Sequence, residues 1–128
     1  MDEKDEKLYE PPKVLKDTQD LAVLLDRLQD CYKHKHKYGW GNDLQHLTAG
    51  LLSCWSKSQV YSDFKKRVEA LEDFIAGVNT IYMLLEVMTA NAVLPNDKLV
   101  EIYRKMGEIS RQIRGLKAYF AEKARIQR

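Results

Sequence analysis

Between Leu99 and Phe120 the apolar residues Leu99, Ile102, Tyr103, Met106, Ile109, Ile113, Leu116 and Phe120 recur at intervals of three and four. That period puts them on one side of an α-helix, within an arc of about 140°. The spacing predicts a single long helix over 99–128. A helix with one apolar face must lie against other elements, so the rest of the chain has to supply its partners. Arg104, Arg111, Arg114 and Arg125 fall in a separate arc of about 80° beside the apolar one. From Leu99 onward eight Lys/Arg stand against three Asp/Glu, a local excess of five in a chain whose total excess is two. Positive charge is concentrated here.

Three earlier segments carry the same period. Pro12 suits the start of a first helix, whose stripe is Val14, Thr18, Leu21, Leu25, Leu28 and Tyr32 and which is expected to run to about His34. Tyr38-Gly39-Trp40-Gly41-Asn42 reads as a loop, with Asn42 capping a second helix that carries Leu44, Leu47, Thr48, Leu51, Leu52 and Trp55 and ends near Ser58. Ser62 is the expected cap of a third helix with Phe64, Val68, Leu71, Ile75, Val78, Tyr82 and Leu85 as its seam. Pro95 stops that helix, and Asn96 is placed to cap the last one. Short connections force neighbouring helices to run in opposite directions, so the expected fold is all-α, an up-down-up-down antiparallel four-helix bundle over 12–128. Residues 1–11, rich in Asp and Glu, are expected to form an acidic tail outside it.

At 128 residues the chain is one domain, long enough to hold a core without disulfides or metal. Cys31 and Cys54 are the only cysteines and make no Cys-x-x-Cys pair, so both are expected as free thiols. The charged N-terminal stretch lacks the apolar centre of a signal peptide, and no uninterrupted apolar run is long enough to span a bilayer, which points to the cytoplasm and away from membranes.

Little in the sequence supports catalysis. A di-iron site would need Glu-x-x-His pairs and inward carboxylates, and neither occurs on the four seams, so no metal and no cofactor are expected. His46 and Ser53 lie two turns apart on one helix, about 10 Å along its axis, beyond the reach of a catalytic dyad. Arg27 and His34 resemble the Arg-x4-6-His signature of HEPN-superfamily ribonucleases, which gives one alternative, a metal-independent ribonuclease. The other is a helical protein-interaction scaffold without nucleic-acid binding.

The preferred reading is non-enzymatic. Arginine grips phosphates with two parallel hydrogen bonds, and the aromatics Tyr38 and Trp40 beside Lys33, Lys35 and Lys37 could stack on bases if exposed. Arg104, Arg111, Arg114 and Arg125, with Lys33, Lys35 and Lys37, are therefore the expected nucleic-acid contacts, RNA or DNA. Between Ile81 and Met88 only Glu86 is charged, which makes the third helix apolar nearly all round. Met83, Leu84 and Val87 point off its seam and are expected to form a homo-oligomer interface.

Lys37-Tyr38-Gly39-Trp40-Gly41-Asn42-Asp43-Leu44 resembles the basic-aromatic-x-x-Gly-x-x-Leu sequence that leads into the second helix of small four-helix-bundle proteins. These include the accessory variability determinant (Avd) of diversity-generating retroelements and its relatives encoded within ribosomal RNA intervening sequences. Glu108-Ile109-Ser110-Arg111-Gln112-Ile113-Arg114-Gly115-Leu116 is similar to the Glu-Ile-Gly-Arg-x-x-Gly-Gly-Trp pattern of their last helix, with Ser110, Arg114 and Leu116 in place of glycine, glycine and tryptophan. The resemblance implies a pentameric barrel of four-helix bundles with a basic surface. It also implies binding to the retroelement's reverse transcriptase and to nucleic acid, in support of mutagenic cDNA synthesis from template RNA.

Overall fold

The computed structural model of the chain describes residues 12–31, 37–91 and 93–127, with Lys37 and Tyr38 described in their backbone only. Four helices account for most of them: α1 (Lys13–Arg27), α2 (Asn42–Val60), α3 (Phe64–Ala90) and α4 (Val100–Gln127), with no strand among the described residues. Each helix packs on its neighbour in chain order, and α4 also packs on α1, so the four surround one core. The architecture is all-α, as the periodicity predicts.

α4 and α1 bury most of the stripes expected of them, with Tyr103 and Leu116 only half-buried and Tyr32 outside the described residues. Ile102, Met106, Ile109, Ile113 and Phe120 are buried on α4, and Val14, Thr18, Leu21 and Leu25 on α1. α1 starts where expected, whereas its far end and the start of α4 differ from expectation. Pro12 stands just outside α1, where its carbonyl accepts from Lys16 N–H at 3.1 Å. The α-helix stops at Arg27, and the chain tightens into a 3-10 turn from Leu28 to Cys31, a common way for a helix to end. Asn96 does not cap α4: it opens a 3-10 turn, and α4 begins at Val100.

The start of α2 also departs from the loop expected there. Residues Lys37–Gly41 form a π turn that runs unbroken into the helix, so Asn42 is itself helical and caps nothing. Glycine accepts helical dihedrals as readily as turn dihedrals, and Gly41 takes φ −63°, ψ −43°. Trp40 is half-buried against the core. The far end of α2 runs past Ser58 to Val60.

On α3 the cap is Asp63 rather than Ser62, its carboxylate accepting from Lys65 N–H at 2.9 Å. The seam is rotated as well. Leu71, Phe74, Val78, Ile81, Leu85 and Met88 are buried, while Phe64, Val68, Ile75 and Tyr82, expected on the seam, are half-buried. Because α3 packs on both α2 and α4, its flanks are covered too, and apolar spacing alone does not fix which face is central.

Among the described residues one charged side chain lies in the core. Asp17 on α1 is only 6% exposed. Its carboxylate accepts from Lys13 Nζ at 2.7 Å and from Gln112 Nε2 of α4 at 2.8 Å, with Lys105 Nζ 3.5 Å away. Burial alone would raise its pKa, but the two hydrogen bonds and the charges of Lys105 and Lys13 outweigh it and hold the carboxyl below its usual value. A carboxyl with a depressed folded-state pKa adds stability above its unfolded pKa and loses it as pH falls through the folded value. Melting curves between about pH 5 and pH 2.5 should therefore fall more steeply for the parent than for Asp17→Asn, which at neutral pH should be less stable by about 1–2 kcal/mol. Parallel curves would show that Asp17 makes no such contribution.

Candidate nucleic-acid interface

The outer side of α4 presents Arg104, Arg111, Arg114 and Arg125, all exposed. Their positions follow from the adjoining apolar stripe, which faces the core and leaves this side of the helix to solvent. The four do not act alike. Arg104 Nη1 donates to Glu108 at 2.8 Å and its Nη2 lies 3.8 Å from Glu101. Arg125 donates to Glu122 at 2.6 Å, which lowers the Glu122 pKa and raises that of Arg125. These are exposed pairs within one helix, weakened by solvent screening, but they reduce the local field at both ends of the stripe.

Arg111 and Arg114 make no ion pair among the described residues. Three residues apart on one helix, they are surface neighbours with about 5–6 Å between their Cβ atoms. Both edge a groove between α3 and α4 that is lined also by Asn79, Tyr82, Gly107 and Ser110. Arg104 lies about 10 Å along the helix from Arg111, and Arg125 about 16 Å from Arg114. The expected stripe is thus a central unpaired pair with a neutralised arginine on either side.

The groove wall is fixed by an aromatic pair. Tyr82 of α3 stacks on Tyr103 of α4 with ring centroids 5.4 Å apart and 26° between the planes. The Tyr82 hydroxyl donates to the Tyr103 carbonyl at 3.4 Å. Burial raises both phenol pKa values, aided at Tyr103 by the charge of Glu86, so both remain protonated at neutral pH. Asn79, Tyr82 and Ser110 were not anticipated, because their common groove exists only once α3 and α4 are side by side.

Of the expected lysine contacts, Lys33 and Lys35 lie outside the described residues, and Lys37 sits in the π turn with its side chain likewise outside them. Trp40, considered as a base-stacking residue, instead packs on the core. His34, the partner of Arg27 in the ribonuclease alternative, is also outside the described residues.

Two of the three residues expected at a subunit interface are exposed, and the third packs partly against the chain's own core. Met83 is 58% and Val87 42% exposed, and Leu84 is half-buried beside them. With Thr80 they border an open groove shared with Asp43, His46 and Leu47 of α2. Ala76, Thr80, Met83, Val87 and Ala90 are all exposed at intervals of four and three, so α3 carries a second, outward seam.

By length and composition alone α3 could cross a bilayer, with a mean hydropathy of 1.2 in its most apolar window; a core helix meets the same test, and seven α3 residues are buried among the other helices. Among the described residues no group of three or more His, Cys, Asp or Glu is arranged to hold a metal ion. Compared with models of known protein families and with curated proteins, the chain finds no match.

Proposed function

We propose that this chain is a non-enzymatic accessory protein of a diversity-generating retroelement, binding nucleic acid and the element's reverse transcriptase during mutagenic cDNA synthesis. In this reading the four helices are an up-down-up-down antiparallel bundle. Copies of the bundle assemble through the outward seam of α3 at Met83, Leu84 and Val87 into a cytoplasmic homo-oligomer, a pentamer by the resemblance. The observation that carries the nucleic-acid part is the unpaired Arg111–Arg114 pair at the edge of an open groove. Two neighbouring guanidinium groups, each able to fork onto a phosphate and neither engaged by a carboxylate among the described residues, suit successive phosphates of one strand. The polymerase partner rests on the resemblance in Lys37–Leu44 and Glu108–Leu116, the second of which contains both arginines.

Supporting contacts for the bundle topology run end to start. Phe64 N–H at the start of α3 donates to Gln127 at the end of α4 at 3.2 Å, and Tyr82, late in α3, meets Tyr103, early in α4.

The test is titration of labelled single- and double-stranded RNA and DNA at several salt concentrations, with the mass of the complex recorded. Binding by a homo-oligomer should weaken with salt, with a log–log slope of about −1.4 or steeper for a single strand, the value for two phosphates neutralised. Absence of binding at low salt, or affinity indifferent to salt, would rule out phosphate recognition by this surface.

A further inference from the structure

We propose that the groove beside Arg111 and Arg114 takes an unpaired nucleobase, so that this site selects a single strand: phosphates lie on the two arginines and one base enters between α3 and α4. The inference rests on the nucleic-acid reading above and names the form of nucleic acid that the same site prefers.

The first argument is placement. Gly107, Ser110, Arg111 and Arg114 each stand three or four residues from two of the others, which makes them one patch on α4, and Asn79 and Tyr82 are neighbours on α3 in the same way. Together they line a groove of about 360 Å3, within the roughly 300–1,000 Å3 of small-ligand sites. A strand whose phosphates rest on arginines at the edge of this groove has its bases beside the opening.

The second is room. Apart from its chain neighbours and its own helix backbone, no atom lies within 4 Å of the point where a Cβ at Gly107 would stand. Gly77 on α3 differs: a Cβ there would stand 2.8 Å from Leu51 of α2, so that glycine serves helix packing. Gly107 serves no such contact, although glycine weakens a helix interior, and the space left by its missing side chain belongs to the groove.

The third is unused hydrogen-bonding capacity. Thr18, Thr48, Thr80 and Thr89 each donate to the carbonyl four residues earlier in their helices. Ser110 is half-buried, yet its hydroxyl makes no hydrogen bond among the described residues, and neither does the Asn79 amide. Both groups donate and accept, which suits the mixed donor and acceptor edge of an unpaired base. Tyr82, fixed by its stack on Tyr103, adds aromatic surface, so the groove combines the basic and aromatic elements of sites for single strands. In a duplex the same base edges are already paired, and entry would require the base to be flipped out.

The experiment titrates the parent chain and full-length Gly107→Leu, at moderate salt, with three labelled ligands of equal length. These are a single strand, the same strand with abasic sites throughout, and a duplex. The abasic strand keeps the backbone charge and so separates base from phosphate. The parent should bind the intact strand about tenfold more tightly than the abasic one, and Gly107→Leu, which puts an isobutyl group into the groove, should reduce that preference to about twofold or less. Leucine favours a helix over glycine and enters open space here, so circular dichroism should show helicity retained.

Equal affinity of the parent for the intact and abasic strands would overturn the inference and leave phosphate recognition standing. A preference for the intact strand that survives in Gly107→Leu would also overturn it, because the base would then sit elsewhere. Failure to bind any of the three ligands would remove the nucleic-acid reading and the inference with it.

Discussion

Reversing the two unpaired arginines together, Arg111→Glu with Arg114→Glu, is expected to weaken RNA or DNA binding by about two orders of magnitude at moderate salt. The change removes two phosphate contacts and sets two like charges against the strand, so the loss should exceed that of neutralisation. Both side chains are exposed on a long helix, so circular dichroism should show helicity unchanged. Arg104→Glu makes a useful control. Its guanidinium is shared between Glu108 and Glu101, and its loss should cost only a few-fold. A double variant that binds like the parent, or a control that matches the double variant, would contradict the placement of the interface at Arg111 and Arg114.

The largest effect on stability is expected at Phe74. Its ring is wholly buried on the central seam of α3, and Phe74→Ala should cost about 3–5 kcal/mol. For a domain of this size that is a fall of roughly 10–20 °C in Tm. Ile75→Ala, next to it in sequence, should cost less than half as much because Ile75 is only partly buried. Thermal melts of the two variants decide between the observed seam and the one drawn from apolar spacing, which has Ile75 central and Phe74 off it. A larger loss at Ile75 would favour the latter.

That pair shows why parts of this molecule are readable from sequence and others are not. On α1 and α4 polar and apolar positions contrast sharply, so the stripes Val14 to Leu28 and Ile102 to Phe120 are found correctly. On the second half of α3 almost every position is apolar, and the spacing 71-74-78-81-85-88 competes with 64-68-71-75-78-82-85. Only the positions of α2 and α4 choose between them. The cap at Asp63 differs from the expected Ser62 by one residue because either side chain can accept the same kind of bond.

At the site, the exposure of the arginines was legible, and so in principle was their division. Glu108 four residues after Arg104 and Glu122 three before Arg125 are at pairing distance on any helix. The groove that joins Arg111 and Arg114 to Tyr82 was not legible, since it depends on residues of two helices, 21 or more positions apart in sequence, coming together. Asp17 was missed although 14-17-21-24-28 is itself a helical spacing, because a carboxylate in a polar run carries no mark of burial.

The buried Asp17 also bears on how the chain reaches one arrangement rather than several. The α2–α3 and α3–α4 contacts join segments linked by short turns, and such local contacts form quickly. The α1–α4 contact joins residues 95 apart and carries the larger loop-closure entropy. Apolar faces tolerate sliding past one another, but a slide of α1 by one turn, about 5.4 Å, would carry the Asp17 carboxylate away from both Gln112 and Lys105 and leave it buried without partners from α4. The most distant closure in the chain is thus the one with a polar key, which penalises every register except its own.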